Sequence, residues 1–269
     1  MVSSTFQRLD SHSGDAAAGI RHGGATLGIR SAAASVCGGR DYNEDRIYRC
    51  DRSQVYLVAD GMGGHHGGAM ASQIAVETVP SVWRNSVFEN ALTYSGIQAA
   101  YGNSLDWAVG EMSAVARKHC DYEQMGCTLA AAFVYYGRMY YGTIGDCRIY
   151  LVHQDKLTRL TKDETLVQGM VDAGIITANE ARTHRWRHIV TNGISPQGFK
   201  NTPRLRSAQV AEGDFVMLTS DGLTDELTDD EIEQVMKACS DPQECVDQLI
   251  KAAIDREARD NVSCVVFQT

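Results

Sequence analysis

Five short stretches carry the side chains that could do chemistry. Asp60-Gly61 follows the apolar run Val55-Tyr56-Leu57-Val58, and Asp221-Gly222 follows a second apolar run from Phe215 to Leu218. Asp260 stands just before a third run, Val262–Phe267. Glu44-Asp45 and Asp146 sit in turns between apolar segments. A carboxylate at the end of a buried strand does little for stability, and Asp and Gly are also ordinary turn residues. Several such acids brought to one edge would repel each other unless a divalent cation lay among them. Donors that are all oxygen suit Mg²⁺ or Mn²⁺ and argue against zinc. The glycine after Asp60 would let backbone carbonyls approach such an ion. Arg40 lies four residues before Glu44, and His65 and His66 close the glycine-dense turn Gly61-Met62-Gly63-Gly64.

The elements that must position these residues are legible as patterns. A first strand is expected from Ala25 to Val36, a second around Ile47-Tyr48, and a third at Val55–Val58. Ala71, Ile74, Ala75, Val79 and Trp83 fall on one helical face over 69–83. A second helical pattern covers 88–119, with an interruption near Gly102. Turn residues at 137–138, 145–146 and 154–155 divide 126–160 into four strands, which read as one antiparallel meander. Short helices are expected over 163–173 and 177–183, the second with the capping pair Thr177 and Glu180. The stretch 185–200 lacks periodicity. A strand over 213–220 precedes helices capped at Thr228 and Asp241, and the chain ends on the strand Val262–Phe267. Strands and helices are grouped rather than alternating, which indicates an α+β fold built on antiparallel sheets.

Composition excludes several classes. The chain has 269 residues, 43% hydrophobic, which suits a single core. A net charge of -9 disfavours nucleic acid and anionic membranes as partners. No apolar run approaches the ~20 residues of a membrane span. Residues 1–26 are rich in Ser, Gly and Ala and lack a signal-peptide pattern, so a flexible tail and a cytoplasmic location are expected. The eight cysteines show no CxxC pair and read as reduced thiols.

The ordered set Arg40-x-x-Asn43-Glu44-Asp45, Asp60-Gly-Met-Gly-Gly-His65, Gly126-Cys-Thr-Leu129, Gly145-Asp-Cys-Arg148, Leu160-Thr-x-Asp163, Ser220-Asp-Gly-Leu-Thr224 and Asp260-Asn261 resembles the metal-dependent protein Ser/Thr phosphatases, the PPM or type-2C family. Met62 after Asp-Gly matches bacterial members. The resemblance runs from about residue 28 to the C-terminus. It implies a four-layer α/β/β/α sandwich with two antiparallel sheets, a phosphatase domain over 27–269 and a flap at about 161–200. It implies two tightly bound Mn²⁺ or Mg²⁺ ions bridged by Asp60. The Gly61 carbonyl would bind one ion, and Asp221 and Asp260 would complete the second site. Glu44 would bind directly or through water, with Asp45 behind it. Asp146 would hold a third, weaker ion together with Asp221, and Arg40 would hold substrate phosphate. Water bridging the two ions would attack phosphoserine or phosphothreonine on proteins directly, with no covalent phosphoenzyme. A partner Ser/Thr kinase and its substrates, and a monomeric chain, go with that reading.

Departures from the family pattern are few. Met62 replaces a histidine that serves some relatives as general acid, leaving that role to water, His65 or His66. Cys147 stands where Ser is usual, and 190–195 diverges from the usual flap sequence. His184, Arg185, Arg187 and His188 place positive charge in the expected flap. Two other functions stay open: a catalytically weak phosphoprotein-binding regulatory module on the same fold, and hydrolysis of small phosphate esters. Cys-x5-Arg chemistry is unsupported, since Cys147 and Arg148 are adjacent.

Overall fold

The structure, a computed structural model, describes residues 28–269 other than 65, 91, 92 and 136. The expected tail at 1–26 and His65 lie outside the described residues. Strands β1 (Arg30–Val36), β10 (Val262–Gln268), β9 (Phe215–Thr219), β6 (Arg148–His153) and β7 (Lys156–Arg159) form one antiparallel sheet in that order. Strands β2 (Arg46–Cys50), β3 (Val55–Met62), β4 (Gly126–Tyr135), β5 (Arg138–Ile144) and β8 (Arg206–Gln209) form the other.

Side-chain alternation along the central strands explains the layering, because neighbours on a strand face opposite sides. Tyr56 and Val58 of β3, Ala130 and Ala132 of β4, Val216 and Leu218 of β9, and Val265 and Phe267 of β10 fill the space between the sheets. Tyr56 stacks on Phe267 across it, with ring centroids 4.2 Å apart. The opposite face of β3 and β4 packs under α1 (Gly67–Asn90) and α2 (Tyr94–Ala116). The short helices α3 (Leu166–Asp172) and α4 (Ala178–Thr183) follow β7, and the opposite face of β9 and β10 packs under α5 (Asp221–Glu226), α6 (Asp229–Ala238) and α7 (Pro242–Ile254). Two sheets between two helical layers result. Strands buried on both faces read as continuous apolar runs, as Val55–Ala59 does.

Three sequence expectations need correction. The four strands of 126–160 are not one meander: β4 and β5 pair in one sheet, β6 and β7 in the other. Gly145-Asp146-Cys147 is the crossing between sheets, not a hairpin corner, and turn spacing alone does not distinguish the two. The second helix runs unbroken through Gly102 from its cap at Thr93, whose hydroxyl accepts from the Gly96 amide. Asp60 lies within β3, paired with Thr128, rather than beyond the strand. Strand β8 was not foreseen. Both capping boxes, Thr177 with Glu180 and Thr228 with Glu231, form as their spacing indicates.

Candidate metal centre

Strand register determines which turns meet. Val36 pairs with Val262, Arg46 with Ala59, Asp60 with Thr128, Leu129 with Ile144, and Arg148 with Thr219. The connections 37–45, 145–147 and 220–221, the end of β3 and the start of β10 therefore emerge at one end of the sandwich. Along β3, Asp60 continues the face of Tyr56 and Val58, so its carboxylate lies at the mouth of the inter-sheet space.

Side chains lock these turns together. Asn261 accepts the Glu44 amide at 2.8 Å and donates to the carbonyls of Cys37 at 3.0 Å and Tyr42 at 2.8 Å. The Ser72 hydroxyl of α1 donates to the Glu44 carbonyl at 2.5 Å. Ser220, the residue before α5, gives its hydroxyl to Asp45 Oδ2 at 2.8 Å instead of capping the helix. Two glycines are required by close approach. A Cβ on Gly222 would fall 2.0 Å from the Asn261 carbonyl oxygen. On Gly68 it would fall 2.7 Å from Glu44 Oε1 and 2.9 Å from the Gly61 carbonyl oxygen, so those two oxygens face one small cradle.

The electrostatics of this end are unfavourable for protein alone. Burial raises the Asp60 carboxyl well above its usual range, and Asp45, Asp221, Asp146 and Asp260 push it further. Burial, then Asp146, Asp225, Asp260 and Asp45, raise Asp221 likewise. Asp45 is pushed up to about 6, chiefly by burial and against the hydrogen bonds that favour its charge. Asp146 is pushed up to about 7 by burial and the nearby Asp163. Asp45 Oδ1 is buried with no hydrogen-bond partner. A buried orphan oxygen, mutually repelling carboxylates and an all-oxygen donor set fit a hard divalent cation.

The remaining sequence candidates are placed as follows. Arg40, half-exposed, reaches Asp260 Oδ2 at 2.7 Å, so the expected phosphate-holding arginine pairs with an expected metal ligand. His66 is exposed, its ring 6.4 Å from that of Tyr42. Cys147 is buried, with Sγ 3.1 Å from Thr128 Oγ1, and burial lifts its thiol well above the usual range. A thiol so held is not a thiolate near neutral pH. If the expected metal-activated water is the nucleophile, Cys147→Ser should keep phosphate release within about tenfold; a loss above a hundredfold would give the sulfur a role.

Sequence reasoning missed the residues that fasten 161–200 to this end. Glu164 Oε2 accepts from the Gly145 amide at 2.9 Å and from Asn192 Nδ2 at 2.8 Å. The Glu164 carbonyl takes the Thr191 amide at 2.7 Å, and Cys127 and Ile194 exchange two backbone bonds of 2.9 Å. The Met62 methyl fills the space beside Gly193 and Gly126. Each of these contacts joins distant segments, and only the Gly145 turn hinted at one. Asp225 was also missed, though it lies four residues after Asp221 on the same short helix.

The raised carboxyls make a prediction about stability. The fold lifts Asp45 and Asp146 from 3.8 to about 6 and about 7. The metal-free folded state therefore binds more protons than the unfolded chain between those values, so unfolding free energy falls with rising pH. The contribution is complete below about pH 4 and lost as pH passes through about 7. Glu231, held low by Arg256, acts only at more acid pH. Metal-free protein should melt lower at pH 8 than at pH 5. Mn²⁺ at about 100 times its Kd should recover about 2.7 kcal/mol per ion, roughly 5–10 °C at this chain length. Higher melting of the metal-free form at pH 8 would contradict the cluster's repulsion.

Comparison with known proteins agrees with this geometry. A family model described as protein phosphatase 2C matches residues 39–255. The chain is 35% identical over 244 residues to the serine/threonine protein phosphatase PstP of Mycobacterium tuberculosis, covering 90% of this chain and 45% of that protein. It thus spans about half the length of that relative. A crystal structure of the Mycobacterium tuberculosis serine/threonine phosphatase PstP/Ppp superposes with a TM-score of 0.80 at 32% identity, covering 89% of this chain and 98% of that one. The catalytic domain of PstP in complex with two manganese ions superposes with a TM-score of 0.77 at 31% identity, covering 89% and 97%.

Proposed function

The chain belongs to the protein phosphatase 2C family, and from that premise we propose that it is a Mn²⁺- or Mg²⁺-dependent phosphatase acting on phosphoserine and phosphothreonine in proteins. The observation that carries the proposal is the gathering of Asp45, Asp60, Asp146, Asp221 and Asp260 within mutual electrostatic reach at one end of the sandwich. Asp60, the Gly61 carbonyl, Asp221 and Asp260 would hold the ions, with Glu44 and Asp45 supporting them from the side of α1 and Ser220. Asp146 with Asp221 would hold a further, weaker ion. Bound divalent cations would supply a water of lowered pKa and neutralise the phosphoryl oxygens.

The chain's own side chains do the rest. No nucleophilic side chain is required, and the buried thiols of Cys127 and Cys147, both pushed upward by burial, are unsuited to the task. Arg40 is exposed enough to exchange Asp260 for a substrate phosphoryl group, to which a guanidinium can donate two parallel bonds. The 161–200 segment, fastened through Glu164 and Asn192, forms the flap beside the site. The substrates are phosphoproteins of a Ser/Thr kinase pathway in the cytoplasm. Among the described residues no helix is long and apolar enough to cross a membrane.

Arg40→Ala should raise KM by about tenfold with a smaller change in kcat, the pattern of a lost ground-state contact. Mn²⁺ affinity should change little. Unchanged KM with collapsed Mn²⁺ binding would make Arg40 part of the scaffold. The reading as a whole is tested by phosphate release from phosphothreonine peptides, phosphoserine peptides and small phosphate esters, with Mn²⁺ and after chelation. Mn²⁺-dependent release with higher kcat/KM on peptides is expected. Higher kcat/KM on small esters would replace the substrate class, and peptide binding without release would make the chain a regulatory module.

A further inference from the structure

One cluster beside the acidic centre differs from it in chemistry. His188, from the 161–200 segment, joins Asp221 and Asp225 of α5, and their ligand atoms all lie within 4.8 Å of one another. Asp221 and Asp225 are four residues apart, so they share one face of the helix turn. His188 Nδ1 is 3.7 Å from Asp225 Oδ2. Donors around one tetrahedral ion with bonds of ~2.0–2.1 Å stand about 3.3–3.5 Å apart. Small rotations of two exposed side chains, His188 and Asp225, close the remaining gap. We propose that His188, Asp221 and Asp225 form a separate site for a borderline transition ion of the zinc class, which ties the 161–200 segment to α5.

The donor set decides the ion. An imidazole with two carboxylates suits Zn²⁺ or Co²⁺, whereas Mg²⁺ prefers oxygen ligands and near-ideal octahedral geometry. Asp221 has two carboxylate oxygens, so one can face this ion, in place of the weaker ion shared with Asp146, while the other faces the centre around Asp60. Arg187 Nε lies 3.6 Å from the same Asp225 oxygen, and Arg182 donates to the Asp225 carbonyl at 3.4 Å. The segment already leans on Asp225 at these points. Arg187 is the ion's competitor for that carboxylate, and the ion replaces a loose contact with direct ligation.

The site is tested without substrate, so its failure is separable from failure of the phosphatase reading. Zn²⁺ affinity is measured on the full chain by competition with a fluorescent chelator, in millimolar Mg²⁺ to occupy the oxygen-only sites. The parent, His188→Ala, Asp225→Ala and Asp60→Asn are compared. One Zn²⁺ per chain should resist Mg²⁺ in the parent and in Asp60→Asn. Its affinity should fall at least ~10-fold in His188→Ala and in Asp225→Ala. On zinc addition the imidazole resonances of His188 should shift in the parent. Equal zinc affinity in parent and His188→Ala, displacement by Mg²⁺, or loss in Asp60→Asn alone would overturn the assignment.

Discussion

Replacing Asp60 by Asn should lower phosphate release by at least about 10³-fold, about 4 kcal/mol of lost barrier reduction. The same change should raise the thermal midpoint of the metal-free protein. The two effects share one cause. Asp60 is the carboxylate on which Asp45, Asp221, Asp146 and Asp260 all press, and burial already disfavours its charge. Asparagine occupies the same volume on β3 without that charge, and the ladder from Asp60 to Thr128 uses the backbone alone. A residue placed for stability would show the opposite pairing, with activity following a weakened fold. Enzyme assay and a melting curve in chelator read both quantities. Turnover within tenfold of the parent, or a lowered metal-free midpoint, would remove Asp60 from the centre of the mechanism.

Asp163→Ala should be the most damaging change for the fold, by about 3–5 kcal/mol, or roughly 6–20 °C. Asp163 receives Arg148 Nε at 3.1 Å and Nη2 at 2.8 Å, and Arg159 through its Nη2. Both arginines are largely shielded, with 16% and 24% of their side-chain surfaces exposed. Removing the carboxylate leaves two guanidinium groups beside each other, Arg148 with only Tyr150 at 3.4 Å and Asp229 at 4.0 Å, and Arg159 Nε already lacks a partner. Urea unfolding measures the cost. A loss below about 1 kcal/mol would mean that the shielded pair contributes no more than a surface contact. This interaction also joins two of the seven sequence motifs, since Arg148 and Asp163 belong to separate motifs and bind each other.

Much of the candidate site was legible because its acids stand where apolar runs stop. A buried strand writes itself as an apolar run, and the polar residue that ends it is conspicuous, as with Asp60 and Asp221. The two-sheet arrangement was not legible from periodicity. Hairpin spacing at Gly137 and at Gly145 looks alike in sequence, yet the first turn stays within a sheet and the second carries the chain across to the other. Register then places Asp146 at the crossing, where it is buried, instead of on an exposed corner. The contacts of Glu164, Asn192 and Asp225 were invisible for a different reason. A single carboxylate or amide in a polar stretch acquires meaning only from the groups it meets, and those come from segments up to 38 residues away, as with Arg187 and Asp225. Asn261 was visible as part of an Asp-Asn pair, but its work of joining Cys37, Tyr42 and Glu44 appears only in three dimensions.

The centre itself is tested most directly by calorimetric titration of Mn²⁺ into metal-free protein at pH 7.5 in two buffers of different ionisation enthalpy. Carboxyls raised by burial and crowding must give up protons to bind a cation. Two tightly bound ions per chain should therefore enter with net proton release, with affinity falling as pH is lowered to 6, and with tight binding lost in Asp60→Asn. Absence of tight Mn²⁺ binding, or binding that Asp60→Asn leaves unchanged, would contradict a two-cation centre at this end of the sandwich.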